Sequence, residues 1–231
     1  MTSDWLAFWD SPHSIYVNAR HKDVHYRLIA TEIAALVPGP QARVLDYGCG
    51  EALHAEIVAA AAGELFLCEA APGVRENLVD RFAGQRNIHV LAPHEAARLA
   101  EQSLDLIVLH SVVQYLTAAG AGGLFAVFHR LLRKGGLLVV SDVIRPNTSA
   151  VTDAFALLRF GAANGFFFPA AFGLLRTLLS SYWKLRSKLG LTRYSEAAML
   201  EKLDAAGFDA ELAPANIGHN RARRAFYARR R

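Results

Sequence analysis

The chain has 231 residues, a formal net charge of +4, and 53% hydrophobic against 20% charged residues. This excludes a disordered chain, which needs low hydrophobicity and high net charge, and two cysteines are too few for a disulfide-built miniprotein. The basic excess is too small to imply nucleic acid by itself, but the mean hydropathy of +0.19 is high, which raises the question of where the apolar excess sits.

The first residues, Met1 to Trp5, lack a basic stretch followed by an apolar one, so no signal peptide is expected. Trp5, Phe8, Trp9, His13, Tyr16 and Asn18 form an aromatic-rich arm. It either folds over a pocket, with Tyr16 the foremost pocket residue, or simply anchors the terminus. Residues 22–37 read as an amphipathic helix with Leu28, Ile29, Ile33, Leu36 and Val37 on one side, stopped by Pro38-Gly39-Pro40. A short apolar run at 43–47 then breaks into Gly48-Cys49-Gly50. A helix is expected over 52–62, a strand over 65–69, a helix over 74–82 and a strand over 88–91. A more strongly apolar strand follows at 104–109, then a helix over 123–132 ended by Lys134-Gly135-Gly136, and a strand over 137–142. Short apolar runs alternating with helices predict an α/β fold, a doubly wound, mostly parallel sheet with helices on both faces.

After this block the pattern changes. Residues 145–194 are rich in Phe, Leu and Ala with scattered Arg and Lys. The longest uncharged stretch there, Phe160 to Leu175, is interrupted by Gly161, Gly165, Pro169 and Gly173 and is shorter than the roughly 20 residues of a membrane span. A helix is expected from Ser195-Glu196 to Gly207, then strands over 209–217 and 224–228. The expected organisation is one domain over 1–231, with 1–40 as an N-terminal helical cap and 145–194 as a helical lid insert. Cys49 and Cys68 show no metal or redox spacing, and a reducing cytoplasm is the expected setting.

The chemistry concentrates at Val44-Leu45-Asp46-Tyr47-Gly48-Cys49-Gly50-Glu51-Ala52, where a strand ends and the backbone turns into a helix. Glycines at 48 and 50 allow close approach of a ligand. Glu69, at the end of the second strand, can accept hydrogen bonds from both hydroxyls of a ribose. A nucleoside-containing cofactor across the carboxyl ends of the first two strands is therefore expected. A pyrophosphate needs the helix N-terminus free, whereas Asp46 and Glu51 place carboxylates beside the turn. They suit a cationic amino-acid cofactor such as S-adenosylmethionine, with its ammonium and sulfonium.

With these residues in place, the sequence resembles the class I S-adenosylmethionine-dependent methyltransferases of the small-molecule type. The matching stretches are Val44 to Gly50, Glu69, Ser103 to His110 and Leu131 to Asp142, with the helix and closing strands after Ser195. The resemblance implies a Rossmann-like seven-stranded sheet with an antiparallel last strand. It implies that Asp46, Gly48 and Gly50 contact the methionine part of the cofactor and Glu69 the ribose, with Tyr47, Cys49 and Ala70 also among the cofactor-binding residues. An acidic residue after strand three usually touches the adenine amine; the stretch here makes Glu95 the first choice, His94 the second, with Ala96 beside them. His110 would lie near the methyl-transfer centre, as a base, as an orienting group or as a rim residue touching cofactor.

Bland alternatives stand beside several features. His21 and His25 share a helix face but lack the Glu of a zinc-protease motif, so no metal site is expected. The insert holds Phe155, Phe160, Phe166, Phe167, Phe168, Phe172, Tyr182 and Trp183. It reads as a packed helical cover, as a lid implying an apolar or amphipathic acceptor, or, through Arg176, Lys184, Arg186, Lys188 and Arg193, as a peripheral contact with an anionic membrane. The C-terminal arginines read as solvated charges, and nucleic acid is not expected as a partner. The function expected is methyl transfer to an oxygen or nitrogen of a small hydrophobic or amphipathic acceptor. The alternatives are a nicotinamide-dependent oxidoreductase and a non-catalytic module that binds a nucleoside cofactor.

Overall fold

The computed structural model describes residues 3–11, 15–178 and 190–231. The expectations placed on His13, Tyr182, Trp183, Lys184, Arg186 and Lys188 lie outside the described residues. Seven strands form one sheet: β1 (Arg43–Tyr47), β2 (Glu64–Cys68), β3 (Ile88–Leu91), β4 (Leu104–His110), β5 (Leu132–Val143), β6 (Phe208–Leu212) and β7 (Arg224–Arg230). Their order is β3-β2-β1-β4-β5-β7-β6. The pairs among β1 to β5 are parallel, and β7 runs antiparallel to both β5 and β6. This is the Rossmann-like seven-stranded sheet expected, with its closing strand antiparallel. Strand order reverses between β1 and β4, which opens a crevice at the carboxyl ends of the strands.

The sheet is apolar throughout because both faces are covered. Leu106, Ile107, Val108 and Leu109 of β4 are all fully buried. They split by the period of a strand: Ile107 and Leu109 join Leu45 and Phe125 in one core, while Leu106 and Val108 join Val44 and Ile33 in the other. Removing side chains of this size from water contributes roughly 1.5–3 kcal/mol each. Much of the chain's apolar excess is therefore ordinary two-sided core.

The helices are α1 (Ser3–Trp9), α2 (Ala19–Ala34), α3 (Ala55–Ala61), α4 (Pro72–Phe82), α5 (Pro93–Ala96), α6 (Ala118–Leu131), α7 (Ala150–Asn164), α8 (Phe167–Leu178) and α9 (Glu196–Ala205). Side-chain caps set several of their starts. Asn18 accepts the His21 N–H, so α2 begins at Ala19 rather than at residue 22. Thr117 accepts the Gly120 N–H, so α6 begins at Ala118 rather than at residue 123. Ser149 and Ser195 cap α7 and α9 in the same way. The helix expected from Ala52 begins only at Ala55, because Ala52 is held at φ 41, a left-handed conformation that a helix does not use.

Two strands differ from expectation. β5 starts at Leu132 and runs through the glycines read as a turn, with a register shift against β4 between Leu104 and Leu106. β6 ends at Leu212 instead of reaching Ile217. Pro214 has no N–H for a ladder and Gly218 sits at φ 86, so the chain leaves the sheet and turns toward the crevice. The insert forms α7 and α8, with Gly165 at φ 74 closing the first. A Cβ at Gly161 would lie 3.1 Å from the Ala170 Cβ, so the two helices pack closely there.

Candidate functional site

The turn after β1 is built from the backbone outward. Gly48 and Gly50 adopt φ 76 and φ 58. A Cβ at Gly48 would lie 2.4 Å from Val112 Cγ2, and one at Gly50 would lie 2.8 Å from Tyr26 Oη. The Gly48 and Cys49 N–H groups both donate to the Cys68 carbonyl, at 2.7 and 3.2 Å, which pins the turn to the end of β2. Tyr26 of α2 accepts the Glu51 N–H at 3.1 Å, and Lys22 pairs with Glu51 at 2.5 Å.

Glu69 is buried. Its two oxygens accept the Gly50 N–H at 2.9 Å and the Ala71 N–H at 2.8 Å. Each oxygen keeps a lone pair, so the carboxylate remains able to accept two hydroxyls. Asp46 faces the cavity and has no hydrogen-bond partner among the described residues. Burial, with the nearby Glu69 charge, pushes its carboxyl up from 3.8 to about 7. A cation placed against it would relieve that penalty. Tyr47, Cys49 and Ala70 also line the cavity, and burial raises the Cys49 thiol well above its ordinary value. The two cysteines are free and buried.

The expected adenine corner is arranged differently from the sequence reading. His94 and Glu95 are exposed, and the Glu95 carboxylate turns back to accept the Ala92 N–H at 2.7 Å. Ala96 packs in the core beside Leu109. At that corner Ala70, Val74 and Pro93 line the cavity.

The cavity has a volume of about 460 Å³, and the same chamber is walled by Tyr16, His25, His110, Asp142, His219 and Leu157. His110 ends β4, and its Nδ1 lies 2.9 Å from Ser141 Oγ. A Cβ at Gly218 would lie 4.0 Å from His110 Nε2, which sets that nitrogen toward the 216–220 loop. Burial holds the ring neutral, against the opposing pull of Asp142 and Glu32. Burial also lowers His25, His219 and His21, the last to about 4. His21 stacks on Phe166 and His219 on Phe160, at ring separations of 4.9 and 4.6 Å. The Nδ1 atoms of His25 and His219 are buried without a hydrogen-bond partner among the described residues. Polar groups in that condition are normally satisfied by a ligand or ordered water.

Beside His110 the backbone is strained. Ser111 at φ 58 and Asp142 at φ 60 are both left-handed without being glycine, a state costing about 1–3 kcal/mol each. They support one another: Ser111 Oγ donates to Asp142 Oδ2 at 2.8 Å, and Asp142 N donates to Asn216 Oδ1 at 2.8 Å. Strain of this kind clusters at functional sites.

The N-terminal arm does two things. Trp5 and Phe8 pack with Tyr115, while Trp9, Ile15 and Tyr16 line the cavity. Tyr16 is half-buried with its ring 5.8 Å from that of Tyr26, and desolvation raises its hydroxyl well above the ordinary value. Sequence reasoning missed His219, Asn220, Asp142, Asp153 and Arg223, all of which line the cavity. The one local signal was the Pro214–Gly218 interruption, which argued against a continuous strand. Among the described residues no group of three or more His, Cys, Asp or Glu side chains is placed to hold a metal ion.

Residues 45–140 match the family described as "Methyltransferase domain". No curated protein sequence matches the chain. Among solved structures, the chain is similar to magnesium protoporphyrin IX methyltransferase (ChlM) from Synechocystis PCC 6803 with bound SAH. The TM-score is 0.59 and the identity 16%, covering 99% of this chain and 94% of that one. It is also similar to the YcgJ protein of Bacillus subtilis, with a TM-score of 0.57 and 14% identity, covering 81% of this chain and 70% of that one. At these identities the likeness is one of fold. S-adenosylmethionine is the cofactor of that family, and it fits the site on its own terms: an unpartnered carboxylate for its ammonium, an acid for its ribose and a turn with two glycines between them.

Proposed function

We propose that the chain methylates an oxygen or nitrogen of a small hydrophobic or amphipathic acceptor, a reading supported by the match of residues 45–140 to the methyltransferase-domain family and by the likeness in fold to a methyltransferase with bound SAH. The observation carrying this reading is the single cavity lined by both the Asp46–Gly50–Glu69 turn and the histidines. When bound, S-adenosylmethionine supplies a methyl group on a sulfonium, which passes in line to the acceptor atom and leaves a neutral thioether.

The chain's own residues then have distinct tasks. Asp46 would balance the cofactor ammonium, and Glu69 would hold its ribose. The chamber walls are mostly apolar, with Trp9, Ile15, Ile29, Leu157 and Leu174 among them, which favours an apolar body and a few polar groups on the acceptor. Neutral His110 is available at Nε2 to take a proton from an acceptor hydroxyl or amine, while Ser141 steadies the ring through Nδ1. Asp142 favours the imidazolium that results. Much of the remaining catalysis is positioning. A nicotinamide cofactor fits less well, since Lys22–Glu51 occupies the turn where a pyrophosphate would need open backbone N–H groups.

Calorimetry with S-adenosylhomocysteine is the direct test. Binding is expected, and Glu69→Ala should weaken it by about 10–150-fold, the worth of a charged hydrogen-bond acceptor at about 1.5–3 kcal/mol. No binding to a well-folded sample would sink the reading. With binding intact, His110→Ala should lower kcat toward hydroxyl or amine acceptors and leave cofactor affinity unchanged. Cofactor binding with no turnover on any acceptor would favour the non-catalytic module.

A further inference from the structure

The α7–α8 pair has two faces of opposite use. Its inner side is part of the cavity wall, through Ala150, Ala154 and Leu157 of α7 and Leu174 of α8. Gly161 lets α8 seat against α7, and at Gly173 the absent side chain leaves room for Val17. The outer side exposes Val151 at 63%, Phe155 at 68%, Phe167 at 43%, Phe168 at 82% and Phe172 at 64%. Val79 and Leu212 complete the exposed large apolar side chains among the described residues, so the patch is concentrated on this pair. The spacing places Val151 and Phe155 along one stripe of α7, and Phe168 and Phe172 along one stripe of α8.

The sequence of this region is basic, and Arg159 and Arg193 are its cations whose side chains are described. Between Asp153 and Glu196 the sequence has Arg159, Arg176, Lys184, Arg186, Lys188 and Arg193 and no acidic residue. Arg159 is exposed, one turn beyond Phe155. Arg193 donates to the Pro146 carbonyl at 2.8 Å, just before α7, and Arg20 donates to the Asn164 carbonyl at its end. Exposed aromatics bracketed by cations, on helices too short to cross a bilayer, are what an interfacial pair presents to anionic lipid. No helix among the described residues is long and apolar enough to span a membrane. The described cations beside α7, Arg20, Arg159 and Arg193, favour an anionic surface over a second copy that carries the same cations.

We propose that the outer face of α7–α8 docks on an anionic lipid bilayer. The docking does not depend on the methyl-transfer reading. Where that reading also holds, the cavity behind the docked helices lies next to the surface from which an amphipathic acceptor can enter.

The test is co-sedimentation of the full chain with phosphatidylcholine vesicles, with and without phosphatidylglycerol, at low and high salt. Binding should require phosphatidylglycerol and weaken as salt screens the charge. The combined variant Phe155→Ser, Phe168→Ser, Phe172→Ser should lose about tenfold or more in bound fraction. These positions are exposed, so its circular dichroism should match the parent. Arg159→Glu should weaken binding without removing an apolar contact. Failure of the parent to bind at low salt, or equal binding by the Phe variant, would overturn the proposal. Light scattering that shows a dimer abolished by the Phe variant would give the face to a second copy and also overturn it. Loss of S-adenosylhomocysteine binding in the parent would instead count against the function proposed above and leave the docking standing.

Discussion

Asp46 and the buried histidines impose opposite pH slopes on stability. Asp46 has a folded pKa of about 7 against an ordinary 3.8, so between those values the folded chain binds more protons than the unfolded one. Stability from this group falls as pH rises through that window. His21 is lowered to about 4, and His25, His110 and His219 are lowered as well. For these groups the unfolded chain binds more protons, so stability is lost as pH falls below about 6.5. Asp46→Asn should therefore remove the falling limb and leave the histidine limb, measured as urea midpoints across pH 4–8. A variant with an unchanged profile would show that Asp46 is not held protonated. Cofactor affinity should rise toward and above pH 7 in the parent, as the carboxylate charges, and be flat in Asp46→Asn, read by calorimetry.

The critical element is α7, which is both cavity wall and outer face. It is tied to the closing part of the sheet by one side chain: Asp153 accepts from Arg223 Nη2 at 2.7 Å and from Asn220 Nδ2 at 2.8 Å. The pair is largely shielded, with side-chain exposures of 10% for Arg223 and 22% for Asp153. Asp153→Ala should lower stability by about 1–3 kcal/mol, the penalty of an interrupted buried polar contact. Protease cleavage within α7 should speed up, and affinity for S-adenosylhomocysteine, which Asp46 and Glu69 would hold, should change little. The same residue shows where reading by element stops. Asp153 sits in a run that reads as an ordinary amphipathic helix, and its partners lie some seventy positions away. By contrast β1 and the Gly48–Gly50 turn were legible, because strand period and positive-φ glycine chemistry are local. The Glu95 carboxylate meets a local claim as well, since it closes the first turn of α5 by accepting the Ala92 N–H.

Across the whole molecule, the basic excess is largely held in the structure. Arg221 pairs with Glu32, Arg223 with Asp153, Arg224 with Glu196 and Arg231 with Asp204. Arg229 and Arg230 donate to the Gly135 and Leu132 carbonyls. These arginines fasten β7 and the loop before it to the rest of the sheet, which differs from the solvated tail that the sequence suggests. A cofactor held by Asp46 after β1 and Glu69 after β2 would bridge the strands that line the cavity, so binding should stabilise the fold as a unit. At a hundredfold excess over Kd the gain is about 2.7 kcal/mol, and at roughly 2–4 °C per kcal/mol for a chain of this size the melting point should rise by about 5–11 °C. A calorimetric scan with S-adenosylhomocysteine checks this; an unchanged melting point would mean that binding does not engage the folded sheet.

The apolar excess of the opening composition divides along the same line. The sequence by itself determined the parallel sheet, the glycine turn with Asp46 and Glu69 at its flanks, and the concentration of Phe in the insert. Each depends on period, turn chemistry or composition within a few residues. Tertiary structure alone decided that Tyr16, His25, His110 and His219 share one chamber, and that Phe155, Phe168 and Phe172 face outward instead of into it. Those outcomes depend on how segments distant in the chain pack against one another, and no local pattern carries that information.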